Sequence, residues 1–97
     1  MSVTSRDVLR HVFEPIWTYS DPADLALTTG LDATAVPLPG GHSAMVVAAP
    51  GPNVTRVWIV ITASAQGAVG TRRGLTSRDA VAHLTGWADL NGIPHNN

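Results

Sequence analysis

The 97-residue sequence contains no cysteine, and all six of its basic residues are arginine. The absence of cysteine excludes disulfide bonds and thiolate metal ligands, and it points to no oxidising compartment. Arginine, alanine, glycine and proline without lysine are typical of a GC-rich coding sequence. A chain of this length forms one domain and buries a modest core without cross-links. We therefore expect a single small domain over residues 1–97, with residues 95–97 as a frayed tail.

Charge and long apolar runs are also scarce. Only 13% of the residues are charged and the net charge is −1, so we expect no general attraction to nucleic acid or to an anionic membrane. The apolar run Val57–Ile61 is far shorter than the roughly 20 residues of a membrane-spanning helix. The first residues have no apolar signal-peptide core. These absences predict a cytoplasmic protein that does not engage a membrane.

Catalytic and cofactor motifs are missing as well. The chain has no G-x-S-x-G elbow, no Walker loop and no dinucleotide-binding G-x-G-x-x-G. Its four histidines are scattered without the spacing of a metal site. The sequence therefore predicts a non-enzymatic protein that needs neither a cofactor nor a metal ion.

The strongest strand signal is the run 54–64, which is rich in β-branched and aromatic residues and contains neither glycine nor proline. A second apolar run, 43–49, precedes it. The segment between them, Pro50-Gly51-Pro52-Asn53, has the composition of a turn. Two such runs predict an antiparallel hairpin at the centre of the fold.

The register of this hairpin decides which side chains share a face. If Ala49 lies opposite Val54 across the turn, Val46 pairs with Val57 and Met45 pairs with Trp58. One face is then smooth and apolar and suits packed helices; it comprises Ala44, Val46, Ala48, Val57, Ile59 and Ile61. The other face combines large, charged and aliphatic side chains; it comprises Met45, Val47, Arg56, Trp58 and Val60.

The second of these faces is the candidate protein interface. Tryptophan, methionine and arginine are enriched at interface hot spots. The hairpin edges offer a further mode of contact, by pairing with a strand of a partner. The alternative is that a helix or the segment 28–41 covers the Trp58 face and makes it part of the core.

Two helices are predicted at the ends of the chain. Thr4 or Ser5 can cap a helix over residues 5–16, with Pro15 weakening its last turn. Thr76-Ser77-Arg78-Asp79 opens the second, and Asn91-Gly92-Ile93-Pro94 stops it. Both starts share the pattern T-S-R-D-x-x-x-H, which we interpret as the chemistry of a helix start. The alternatives are an internal duplication, or two matching helix ends that bind a two-fold symmetric partner.

Three connecting segments are less regular. Residues 22–29 favour one or two helical turns, although an edge strand also fits their pattern. Residues 32–41, with two prolines and two glycines, predict a loop or extended connector. Residues 63–75 predict a flexible loop, with a short third strand over 68–72 as the alternative.

The glycine- and arginine-rich stretch 67–78 is the second candidate site. It leads into a helix start, where backbone N–H groups attract phosphate, and arginine adds bidentate contacts. Arg72, Arg73, Ser77 and Arg78 would then bind nucleic acid or a small anion. The alternative is a plain connector with solvated arginines.

Taken together, these patterns predict an α+β domain in which two amphipathic helices pack on a small antiparallel sheet built on the central hairpin. The leading function is a protein-interaction module, an accessory or inhibitory protein that binds a partner or a second copy of itself through the face around Trp58. Nucleic-acid or phosphate binding through the stretch 67–78 is the alternative function.

Overall fold

The computed structural model describes residues 3–16, 23–24, 33–51 and 56–96. Within these ranges the chain forms two α-helices and five β-strands. Short 3-10 turns follow the first helix, at Glu14–Ile16, and the second strand, at Pro39–Gly41. The α+β class is confirmed. The elements are α1 Ser5–Phe13, β1 Ala23–Asp24, β2 Ala33–Leu38, β3 His42–Pro50, β4 Arg56–Ala63, β5 Val69–Leu75 and α2 Ser77–Leu90.

The strands form one antiparallel sheet in which each strand lies beside its neighbour in the chain, in the order β1-β2-β3-β4-β5. The predicted hairpin is confirmed as β3 and β4. Both of its outer edges are covered, one by β2 and the other by β5. Pairing of a partner strand with the hairpin edges is therefore excluded.

The predicted register of the hairpin is wrong by three residues. Val46 lies opposite Val60 rather than Val57, and Trp58 lies opposite Ala48 rather than Met45. The reason is the length of the connection: Pro50 pairs with Arg56, so the five residues 51–55 join the strands instead of the four residues 50–53. Because side chains alternate along a strand, an odd shift exchanges the faces of β4 relative to β3.

The core lies on one side of the sheet, which we call the inner face. The helix α1 contacts β2 and β3, α2 contacts β4 and β5, and the two helices contact each other. One cluster of buried apolar side chains joins both helices to the inner face. Its members include Val8, Leu9, Val12 and Phe13 of α1, Val36 and Leu38 of β2, Ala44, Val46 and Ala48 of β3, Trp58 and Val60 of β4, and Ala80, Leu84 and Ala88 of α2.

Helix α1 begins with a capping box. The Thr4 hydroxyl accepts a hydrogen bond from the Asp7 backbone N–H at 3.1 Å, and the Asp7 carboxylate accepts one from the Thr4 N–H at 2.9 Å. This satisfies two donors that a helix start otherwise leaves unpaired. The helix ends at Phe13 rather than Ile16, because Pro15 lacks an N–H and the last turn tightens to 3-10 geometry.

Helix α2 has equally definite ends. Its cap is Thr76, whose hydroxyl accepts from the Asp79 N–H at 3.1 Å. At the other end Gly92 takes a φ of 66°, and the Ile93 N–H donates to the Ala88 carbonyl at 2.9 Å. The Ile93 side chain joins the core cluster. This is a Schellman stop, and it confirms the predicted helix end.

Two segments before the hairpin differ from their predictions. The sequence predicts a connector over 32–41, whereas residues 33–38 form β2, which pairs with β3 along its length. Pro37 has no N–H to donate to the ladder, yet β2 keeps its register with β3 there, with Pro37 opposite Ser43. The sequence favours helix from Pro22, whereas Ala23–Asp24 is strand; residues 25–29 lie outside the described ranges.

The stretch after the hairpin is also a strand rather than a flexible loop. Residues 69–75 form β5 along the edge of β4, with a register irregularity between Trp58 and Val60. Gly74 has a φ of 69°, which a residue with a side chain adopts at a cost. Leu75 lies opposite Trp58 and packs against the core, which anchors the end of the strand.

The C-terminal residues are bonded rather than frayed, up to Asn96; Asn97 lies outside the described ranges. The Asn96 backbone N–H donates to the Val12 carbonyl at 2.7 Å, and its side-chain amide donates to the His11 carbonyl at 2.8 Å. These carbonyls belong to the last turn of α1, where a helix leaves its acceptors unpaired. The end of the chain thus caps the first helix.

Candidate protein-binding face

Two of the residues predicted at the interface lie in the core. Trp58 and Val60 are each 0% exposed on the inner face of β4. The Trp58 indole N–H donates to the Ser77 hydroxyl, at the first residue of α2, at 2.9 Å. The prediction that Trp58 forms an exposed surface is therefore wrong, and its cause is the register shift that turns this side of β4 toward the helices.

The other three predicted interface residues do not form one surface either. Met45 and Val47 are partly exposed on the side of β3 that faces away from the helices. Arg56 is exposed at the start of β4, where its guanidinium lies 5.8 Å from the Trp58 ring centroid and donates to the Val3 carbonyl at 2.6 Å. The five residues are thus divided between the two sides of the sheet.

The side of the β3–β4 hairpin that faces away from the helices is the outer face. Across the two strands Met45 pairs with Ile61 and Val47 pairs with Ile59. The residues that form the outer face are Ser43, Met45, Val47 and Ala49 of β3, and Val57, Ile59, Ile61 and Ala63 of β4.

The composition of the outer face is unusual for a solvated surface. It has no charged residue, and seven of its eight residues are apolar. In an antiparallel sheet with one face in water, strands alternate between apolar and polar residues. The inner side of the same strands is also mainly apolar, with Arg56 and Thr62 as its polar members on β4, so β3 and β4 resemble strands of a sheet that is covered on both faces.

The outer face is nevertheless separate from the core of the described chain. Its five large side chains stay partly exposed, and none of them belongs to the core cluster. Both described helices pack on the inner face, so neither covers the outer one. Beside it, Ala35 lies opposite Met45 and Thr71 lies opposite Ile61, and both are uncharged. Two further neighbours differ from these: Ala33, opposite Val47, is buried, and Arg73, two residues after Thr71, is exposed and charged.

Sequence reasoning missed Val57, Ile59 and Ile61 as surface residues because the predicted register assigns them to the helix-packing side. A usable signal was the size of Trp58. It is the largest side chain of the central strand, and its burial removes the most apolar area from water. The side of β4 that carries it was the better choice for the core.

The second candidate site does not form a compact cluster. Arg72, Arg73 and Arg78 are exposed, the first two on β5 and the third on the first turn of α2. Ser77 is occupied as the acceptor of the Trp58 indole. Arg72 lies opposite Val60, toward the helices; burial and the nearby Arg72 charge lower the pKa of His83.

A groove of about 420 Å³ lies where the two helix starts meet. Asp7 and His11 of α1 line it together with Ser77 and Arg78 of α2, so the two T-S-R-D starts contribute different positions of the shared pattern to one cavity. Valine side chains form much of the remaining lining. The mixed charges do not favour one ligand class.

The described residues contain no group of three or more histidine, aspartate or glutamate side chains placed to hold a metal ion. None of their helices is long and apolar enough to cross a membrane. The chain matches no protein-family model, and comparisons with curated proteins and with solved structures find no match either. The geometry of the domain is therefore the basis for assigning a function.

Proposed function

We propose that this chain is a small non-enzymatic protein-interaction domain that binds a protein through the outer face of its sheet, as an accessory or inhibitory protein. In this proposal the two amphipathic helices form the layer that covers the inner face, and the bound protein supplies the layer on the other side. One observation carries the proposal: the outer face is apolar and uncharged, yet it lies outside the core that the described residues form.

The physical argument concerns the cost of leaving such a face in water. Each square ångström of apolar surface removed from water contributes about 25 cal/mol. Val47, Ile59 and Ile61 lie side by side at the centre of the hairpin, so covering one covers the others. Contiguous apolar patches of this kind are typical of interaction sites, while single exposed apolar residues are ordinary.

The proposal is tested by photo-crosslinking in cells that produce the protein. A photoreactive amino acid placed at Ile59 reports on the outer face, and the same substitution at Leu90 reports on a helix surface. Leu90 is a suitable control because it is a large aliphatic residue that is 88% exposed. We expect protein adducts from position 59 and none of the same mass from position 90.

Two outcomes would contradict the proposal. One is the absence of protein adducts at position 59 when the variant retains the circular dichroism spectrum of the wild type. The other is the same set of adducts at both positions, since that pattern would mean random collision rather than binding at the outer face.

Nucleic-acid or phosphate binding is the second candidate function. The observation that favours it is the exposure of Arg72, Arg73 and Arg78 on neighbouring elements. Fluorescence anisotropy of a labelled oligonucleotide would test it. Binding should weaken as the salt concentration rises. Changing all three arginines to glutamine should reduce the slope of log affinity against log salt concentration by an amount equivalent to about three phosphate contacts. No binding at low salt would remove this function.

A further inference from the structure

We infer that the occupant of the outer face is a second copy of this chain, so that two sheets pack face to face in a symmetric homodimer. This inference rests on the proposed function and names the partner for it. The arrangement has four layers, with the helices of each copy on the outside and the two sheets at the centre. Stacked sheets pack about 10 Å apart, with their strands aligned to within about 30°.

The charge pattern favours self-association. In a two-fold dimer the same patch meets itself, so any charge on it meets a like charge close to the axis. The eight residues of the outer face carry none, and Ala35 and Thr71 beside them are uncharged; Arg73, two residues after Thr71 on β5, is a charge at the rim that a two-fold dimer must hold away from its axis. The chain carries a net charge of −1, so long-range repulsion between two copies is small.

The area of the face is sufficient for a dimer. Seven residues of strand extend about 20 Å, and four neighbouring strands span about 19 Å. This gives roughly 400 Å² in projection and about 600 Å² of rugged accessible surface per copy, or about 1,200 Å² in total, the lower limit of specific interfaces. An interface near this lower limit is typical of a reversible dimer, so we expect monomer and dimer to exchange with concentration.

The shape of the face also fits a copy of itself. Large side chains, Ile59 and Ile61, occupy the centre of β4, while the small Ala49 and Ala63 lie at opposite ends of the hairpin. Large residues of one sheet can therefore fill the space above small residues of the other. Pairing through the exposed β5 edge is the less favourable route, because arginines on an edge strand oppose strand addition.

Sedimentation equilibrium of the full chain over a range of concentrations tests the inference. The wild type should change from the 10.1 kDa monomer toward twice that mass. Ile59→Arg should remain monomeric, with self-association at least ~100-fold weaker, because dimerisation would bury two unpaired charges. Leu90→Arg, the matched change on the exposed helix surface, should self-associate within ~3-fold of the wild type.

A second measurement covers the case in which Ile59→Arg does not fold. Wild type labelled with ¹³C is mixed with unlabelled wild type, and isotope-filtered NMR detects only contacts between copies. Contacts between the Met45 methyl and methyl groups of the outer face would support the dimer. Contacts from helix residues such as Leu90 would overturn it.

The outcomes separate the inference from the proposed function. A wild type that stays monomeric at every concentration overturns the inference, while adducts from position 59 to a different protein would leave the proposed function standing. A dimer that persists in folded Ile59→Arg also overturns the inference, because its interface must then lie elsewhere.

Discussion

The hydrogen bond between Trp58 and Ser77 joins the central strand to the first residue of α2, and its removal is a sharp test of the fold. The indole is 0% exposed, and its N–H donates to the serine hydroxyl at 2.9 Å. In Ser77→Ala the buried N–H loses its acceptor, and an unsatisfied buried donor costs about 1–3 kcal/mol. Trp58→Phe removes the donor as well as part of the ring, and the resulting cavity costs about 2–4 kcal/mol.

The two changes together isolate the hydrogen bond. When residue 58 is phenylalanine, Ser77→Ala no longer leaves a buried N–H without an acceptor. The free energy of unfolding that Ser77→Ala costs should then fall to near zero. The double-mutant cycle should therefore give a coupling free energy on the order of 1 kcal/mol. Arg78→Ala is the matched control, since it changes the next, exposed residue of the same turn and should cost less than ~0.5 kcal/mol.

Urea denaturation followed by far-ultraviolet circular dichroism measures these free energies without depending on the tryptophan signal that the mutations alter. A domain of this size has a denaturant slope of about 1 kcal/mol per molar urea, so a cost of about 1–3 kcal/mol for Ser77→Ala should lower the midpoint by about 1–3 M. A coupling free energy close to zero would refute the reasoning. It would mean that the indole finds another acceptor or that Trp58 is not enclosed.

His83 and His95 have pKa values shifted in opposite directions, which predicts opposite pH dependences of stability. Burial and the nearby Arg72 charge lower the pKa of His83, so the contribution of His83 to stability is lost as the pH falls below the ordinary value of about 6.5. An NMR titration of Arg72→Gln should show a higher His83 pKa than in the wild type. A lower pKa would contradict the assignment. Hydrogen bonds to the Asn96 carbonyl and to the Asp89 carboxylate raise the pKa of His95. Its contribution is therefore full below about pH 6.5 and is lost as the pH rises through the folded-state pKa. Asp89→Asn should lower the His95 pKa in the same titration, and an unchanged value would rule out the Asp89 contact in solution.

The helices could be predicted because their ends depend on local chemistry that the sequence displays. Thr4 and Thr76 accept hydrogen bonds from residues three positions later in the chain. Gly92 adopts the left-handed conformation that a helix stop requires. These interactions form within a single turn, so a short pattern contains all the information needed to place them.

The T-S-R-D echo has a structural meaning that its pattern alone does not give. In each helix the threonine is the cap, and the serine after it bonds to a side chain of the sheet. Ser5 shares a buried hydrogen bond of 2.7 Å with Thr34 of β2, and Ser77 accepts from Trp58 of β4. The interpretation as helix-start chemistry accounts for the threonine and aspartate, while the serine attaches the helix to the strand beneath it.

The strands β2 and β5 could not be predicted because their stability comes from neighbours distant in the sequence. Pro37 and Gly74 oppose strand structure locally. Each strand is nevertheless held along one side by a strongly β-forming partner, β3 for β2 and β4 for β5. The bonds of Asn96 to α1 are likewise invisible locally, since they join residues 84 and 85 positions apart.

The failure of the register prediction and the proposal of a binding face have the same origin. Register is fixed by the contrast between an apolar and a polar side of a strand, because a wrong register would expose the apolar side. In β4 the contrast points the wrong way, because the buried side carries Arg56 and Thr62 while the outer side is wholly apolar. Only the size of Trp58 marks the buried side. A strand needs no contrast between its sides when neither side is to remain in water. The ambiguity that misplaced Ile59 in the core is therefore itself an argument that the outer face is covered in the functional protein.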